Sequence, residues 1–119
     1  MRPILIAASL SVGLLALGAC GSASAASFDC NKARTANEKA ICNDRWLNDQ
    51  DVRMSQLYDI VRKLVPMGSR GAIMDDQSIW LKQRNGCGAD RRCIANAYSR
   101  RIGQLNAVLE QRVYPQGPF

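Results

Sequence analysis

From residue 45 onward, apolar side chains recur at helical intervals. Leu47, Met54, Leu57, Tyr58, Val61, Leu64 and Val65 follow one another at three-, four- and seven-residue steps, the stripe of an amphipathic helix over residues 45–65. Pro66 and Gly68 stop that helix. Ser69 is placed to cap the next, over residues 70–85, with Ile73, Trp80 and Leu81 inward. Gly86 and Gly88 mark a corner, and Asp90 can cap a last helix over residues 91–112. Its stripe is Ile94, Ala97, Tyr98, Ile102, Leu105 and Leu109. Upstream, Thr35-Ala36-Asn37-Glu38 has the order of a capping box opening a short helix toward Cys42, and Asn43-Asp44 can cap the long one. No stretch alternates as a strand does. The prediction is an all-α fold, a small helical bundle of three to four helices with short connections. It occupies residues 27–112 and leaves a flexible tail at 113–119, frayed from Pro115.

Residues 1–25 read as an export segment rather than structure. Arg2 supplies a positive start, and residues 4–17 are an uncharged apolar run too short to span a bilayer comfortably. Two processing signals follow. Leu17-Gly18-Ala19-Cys20 resembles a lipobox, in which Cys20 would be lipidated after cleavage. Ala23-Ser24-Ala25 is a small-x-small site that would release a chain starting at Ala26. Either route implies export to the periplasm or cell envelope, an oxidising compartment, with the membrane reached only through a lipid on Cys20.

Cysteine parity fits that compartment. With Cys20 lipidated or removed, Cys30, Cys42, Cys87 and Cys93 remain, and four cysteines in a short exported domain read as two disulfides. Three connectivities are open. Local pairing, Cys30 with Cys42 and Cys87 with Cys93, is preferred because each pair flanks one turn or short helix. In the chain-entropy model those rings contribute about 3 and about 2.4 kcal/mol. Longer-range pairing would contribute more, so energy alone does not choose. A four-cysteine zinc site is disfavoured, since the intervals of eleven and five residues differ from the usual close pairs.

Four polar residues interrupt the apolar stripes. Asp51 lies four after Leu47 and three before Met54; Gln77 and Arg84 flank Trp80 at minus three and plus four; Arg101 follows Tyr98 by three. All four should face inward or toward the rim. Their first reading is an internal ion-pair and hydrogen-bond cluster joining Asp51 to Arg84 or Arg101, because a buried carboxylate needs a partner. Their second is a polar pocket that binds something.

Charge narrows the function. The chain carries +6, and Arg2 is the only charged residue among the first 25, so the remainder carries +5. Arg91-Arg92, Arg100-Arg101 and Arg62-Lys63 could favour an anionic envelope surface, and read otherwise as solubilising charge. Nucleic acid is not expected, for want of a recognised motif or interleaved aromatics. There is no histidine, which removes Ser–His and Cys–His catalysis and the commonest metal ligand. Glu38, Asp51, Asp75 and Asp76 have no spacing that sets two carboxylates across a cleft, and no Cys-x-x-Cys is present. No catalytic residue, cofactor or metal is expected.

An ordered set of residues carries a resemblance. It comprises Ser27-Phe28-Asp29-Cys30, Glu38-Lys39-Ala40-Ile41-Cys42, Asp51 with Leu57-Tyr58, then Gln77, Trp80-Leu81, Arg84 and Cys87. Cys93-Ile94, Tyr98, Arg101-Ile102 and Leu105 complete it. The set resembles the LprI-type lysozyme-inhibitor family across about residues 27–109. The resemblance implies a helical, four-cysteine domain of the cell envelope and, from the lipoprotein that gives the family its name, inhibition of lysozyme. Common lysozymes are cationic, so a domain of +5 needs a local acidic patch to meet one. Asp75-Asp76 is the compact acidic candidate for partner contact, and reads otherwise as a solvated surface or an acidic first turn. The expected function is thus an exported envelope binding protein inhibiting lysozyme by protein–protein contact. The alternative is a non-catalytic envelope module binding an anionic surface or a partner protein.

Overall fold

The computed structural model describes residues 26–118, and the fold over them is all-α. A single 3₁₀ turn, Cys30–Lys32, enters four helices: α1 (Ala36–Asn43), α2 (Arg45–Leu64), α3 (Met67–Gly86) and α4 (Arg91–Val108). A π-helical turn, Leu109–Val113, and a 3₁₀ turn, Tyr114–Gln116, extend α4.

The connections are short because side chains close the helix ends. Thr35 and Glu38 form the full capping box of α1. Asp44 ends one helix and begins another. Its backbone N–H donates to the Ala40 carbonyl, while its carboxylate accepts from the Leu47 N–H, 3.0 Å away. Asp90 caps α4 through the Cys93 N–H. At the α3–α4 corner Gly88 takes φ 56°, a conformation that costs any residue with a Cβ.

α2 is the element around which the others pack. Leu47, Met54, Val61 and Val65 run along its buried side and meet Ile73 and Trp80 of α3 and Ile94, Tyr98, Ile102 and Leu105 of α4. Ile41 closes the core from α1. Both disulfides join near neighbours: Cys30 with Cys42, Cα atoms 5.8 Å apart, and Cys87 with Cys93, 5.6 Å apart. Of the three possible pairings, the local one is adopted.

Two boundaries and one inward position differ from the sequence reading. Helix α3 begins at Met67 rather than residue 70, and Ser69 does not cap it. Pro66 ends α2, but its φ of −53° suits a helix start, so winding resumes at once and the Ser69 N–H donates to the Pro66 carbonyl. Leu64, read as part of the apolar stripe, is exposed, because Val65 takes the inward position one turn after Val61. The tail expected at 113–119 begins later. Winding continues through Gln116, and Val113 is 1% exposed. Four α-helical residues overshoot a turn by about 40°. The wider π turn takes that drift back and brings Val113 under Leu109 onto the core face.

Candidate functional site

The four inward polar residues form two adjacent groups between α2, α3 and α4. In the first, Asp51 is 0% exposed and accepts at one oxygen from the Arg84 guanidinium at 3.3 Å and the Tyr98 hydroxyl at 2.8 Å. Its other oxygen accepts from the backbone N–H of Ser27 at 2.7 Å, which pins the entry segment to α2. Arg84 also donates to the Tyr98 hydroxyl oxygen at 3.2 Å and to Asn85 at 3.0 Å. Its guanidinium lies 5.5 Å from the Trp80 ring centre and 5.9 Å from that of Tyr98. The two rings are tilted against each other at 5.4 Å. The Trp80 indole donates to the Ala97 carbonyl at 2.9 Å, which ties α3 to α4. Burial, and then the neighbouring Asp51 charge, push the Tyr98 phenol far above its usual range, so it stays a neutral donor.

The second group is one turn along. Arg101 donates through Nε to Gln77 at 2.9 Å, and more loosely to Gln104 at 3.4 Å and the Ile73 carbonyl at 3.5 Å. Gln77 donates in turn to the Met54 sulfur. Asp51 therefore pairs with Arg84 and not with Arg101. The sequence left both partners open, and helical register decides between them. Desolvation lowers the pKa of Arg101 below that of a free guanidinium.

Three participants carried no sequence signal strong enough to single them out. Tyr98 was visible as a core aromatic and a member of the resemblance set, with nothing to assign its hydroxyl, which completes the carboxylate's shell. The Ser27 N–H is a backbone donor, which composition cannot show. Asn37 looked like capping-box filler. It is buried and donates to the carbonyls of Arg84 and Gly88, at 2.9 and 3.0 Å, thereby closing the end of α3.

The remaining candidates lie elsewhere. Asp75 and Asp76 are exposed in the third turn of α3, so the acidic-first-turn reading does not hold. Of the two, Asp76 reaches the rim of a groove between α3 and α4, of about 360 Å³. The basic pairs are unequal. Arg62 and Lys63 both engage Asp59, and Arg91 engages Asp44 while covering the Trp46 ring at 5.6 Å. Arg92 and Arg100 are exposed and enter no ion pair among the described residues. Cys20 and the rest of residues 1–25, read from the sequence as an export segment, lie outside the described residues. Among the described residues no cluster of His, Cys, Asp and Glu could hold a metal ion, and no helix is long and apolar enough to cross a membrane. The arrangement is a packed scaffold with an open groove on one side.

Comparison with known proteins gives one consistent result. The chain is 33% identical over 82 residues to lipoprotein LprI of Mycobacterium tuberculosis, and equally to lipoprotein LprI of Mycobacterium bovis. The match covers 66% of this chain and 40% of each relative, so the chain spans well under half the length of these proteins. No protein-family model and no solved structure matches the chain. The similarity supports an LprI-like assignment, in agreement with the resemblance read from the residues.

Proposed function

We propose, with an LprI-like helical domain as the premise, that this chain is an exported cell-envelope binding protein that inhibits lysozyme by contact rather than by turnover. The observation that carries the reading is the 33% identity to LprI. With it goes the ordered residue set that resembles the lysozyme-inhibitor family. The match covers two-fifths of those relatives, and the inhibitory surface is proposed to lie within the matched residues. The relatives are lipoproteins by name, which supports an envelope location, with Cys20 as the anchor or Ala26 as the released end.

Charge sets the condition that this reading must meet. The chain beyond residue 25 carries +5, and a cationic lysozyme approaches it against that field. Asp75 and Asp76 are exposed side by side on α3 and offer the local negative surface that contact needs. The test uses the chain expressed with its own N-terminal segment and purified with both disulfides formed. It is titrated against lysozyme on whole cell wall at low and physiological salt. Protection at near-stoichiometric amounts, weakened by Asp75→Asn together with Asp76→Asn, is the expected result. Absence of protection by folded, oxidised protein would remove lysozyme as the partner.

One observation favours a second reading. Arg92 and Arg100 project from α4 unpaired among the described residues, on a chain of net positive charge. An envelope module of this kind would bind anionic wall or lipid surfaces in a salt-sensitive way, without protecting the wall from lysozyme.

A further inference from the structure

The corner between α2 and α3 leaves large apolar side chains outside the core. Val61 and Val65 turn inward, while Ile60 and Leu64, each one residue earlier, share the next face of α2 and are 47% and 43% exposed. Met67 follows Pro66 and is 82% exposed, the highest value among the exposed large apolar side chains. Apolar residues scattered singly over a surface need no cause. Three at one corner mark a place that meets something.

Charge and shape narrow the partner. Residues 60–70 include the cations Arg62, Lys63 and Arg70 and no carboxylate. Asp59, just before them, is shared by Arg62 and Lys63, and Arg70 enters no ion pair among the described residues. On the turn that extends α4 toward this end, Glu110 and Arg112 offset each other. Asp75 and Asp76 begin about 12 Å farther along α3 from Met67. The corner is therefore net positive, and a second copy of the chain would meet it with like charge. A bound peptide is disfavoured as well, because the apolar side chains project from a convex turn, and the groove between α3 and α4 includes none of them. A bilayer interface with anionic headgroups yields around a protrusion and carries the complementary charge.

We propose that the α2–α3 corner docks on an anionic phospholipid bilayer, with Leu64 and Met67 entering the headgroup region and Lys63 and Arg70 meeting the lipid phosphates. Ile60 lies at the edge of the contact, one helical turn before Leu64. A lipid on Cys20 is compatible with this orientation. Cys20 precedes Ser27 by seven residues, a reach of about 23 Å, and Leu64 lies about 20 Å along α2 from Asp51, where Ser27 is pinned. This surface rests on the envelope-module reading above and is independent of contact with lysozyme.

The test uses the oxidised chain beginning at Ala26, which carries every described element and both disulfides but no lipid. It is sedimented with vesicles of mixed phosphatidylcholine and phosphatidylglycerol at low and physiological salt. Vesicles of phosphatidylcholine alone and whole cell wall are the comparison surfaces. Expected is binding to the mixed vesicles that salt weakens and that phosphatidylcholine alone does not support. Leu64→Ser with Met67→Ser, and separately Lys63→Gln with Arg70→Gln, should each weaken it by about tenfold. Lys39→Gln with Lys82→Gln removes the same charge from exposed positions on α1 and α3 and should weaken it by no more than about twofold. Melting temperatures equal to the parent's show that the variants fold. Equal loss in the two glutamine variants, or full binding by the serine variant, would overturn the proposal. Salt-sensitive binding to cell wall but to neither vesicle would also overturn it, while leaving the envelope-module reading in place. Binding to none of the three surfaces removes both.

Discussion

Truncating Arg84 to alanine strips the charge partner from a carboxylate that has no exposed surface. The Tyr98 hydroxyl and the Ser27 N–H remain, but neither is a cation. The expected loss is about 3–5 kcal/mol of unfolding free energy, the range for a broken buried pair. Tyr98→Phe removes one neutral donor from the same oxygen and should cost about 1–3 kcal/mol. Replacing Asp51 and Arg84 together by alanine should cost less than the sum of the two single changes, because the second substitution removes the charge that the first left stranded. Urea denaturation of the parent and these four variants measures all of this. An unchanged midpoint for Arg84→Ala would mean that the pair contributes nothing. At this scale the sequence showed that Asp51, Gln77, Arg84 and Arg101 turn inward, since helical spacing sets direction, but not that Asn37 and Asn48 do. It could not show that Arg84 rather than Arg101 meets Asp51. That choice depends on the offset between two helices, and no residue within either one encodes it.

Helix ends were the most legible elements, and their chemistry makes a pH signature. Thr35 with Glu38, Asp44 and Asp90 all cap where spacing placed them. Ser69 did not, because Pro66 already supplied a helix start and left the serine inside the first turn. Backbone N–H groups of Arg34 and Thr35 hold the Glu38 carboxylate below its usual range. The Leu47 N–H and then Arg91 do the same for Asp44, and Lys63 and Arg62 for Asp59. Each group binds its proton less readily folded than unfolded. Their contribution is therefore complete above the unfolded values, about 4, and is lost as pH falls through the lower folded ones. The melting temperature should fall as acid is added below that range. Glu38→Gln and Asp44→Asn should each lower it at neutral pH and flatten the acid limb. Salt should weaken the share of Asp59, an exposed ion pair, more than that of Glu38, which is held by backbone. Superimposable acid limbs for parent and variants would rule out the caps as its source.

Both staples lie at one end of the molecule. Cys30–Cys42 ties the entry turn to α1, Cys87–Cys93 ties α3 to α4, and Asn37 of α1 bonds to the carbonyls of Arg84 and Gly88 between them. The buried ion pair is close by. At the other end α2 turns into α3 through Val65-Pro66 with no covalent link, and the last turns of the chain pack there through Leu109 and Val113. That end also leaves Ile60, Leu64 and Met67 exposed, Met67 at 82%. The helical periodicity of apolar residues foretold the bundle, and cysteine parity foretold the staples. Neither indicated this asymmetry, because it depends on which helix ends meet in space. The consequence is a gradient of local stability. In native-state hydrogen exchange of the oxidised protein, amides around residues 61–73 and 105–113 should open before those around 80–84 and 94–101. Reducing both disulfides should collapse the gradient by speeding the stapled end most, since the lost ring constraints, about 3 and about 2.4 kcal/mol in the entropy model, act there. Uniform protection along α2 and α4 before reduction would show instead that the bundle opens only as a whole. In that case the core at the unstapled end would couple the two halves as firmly as the disulfides do.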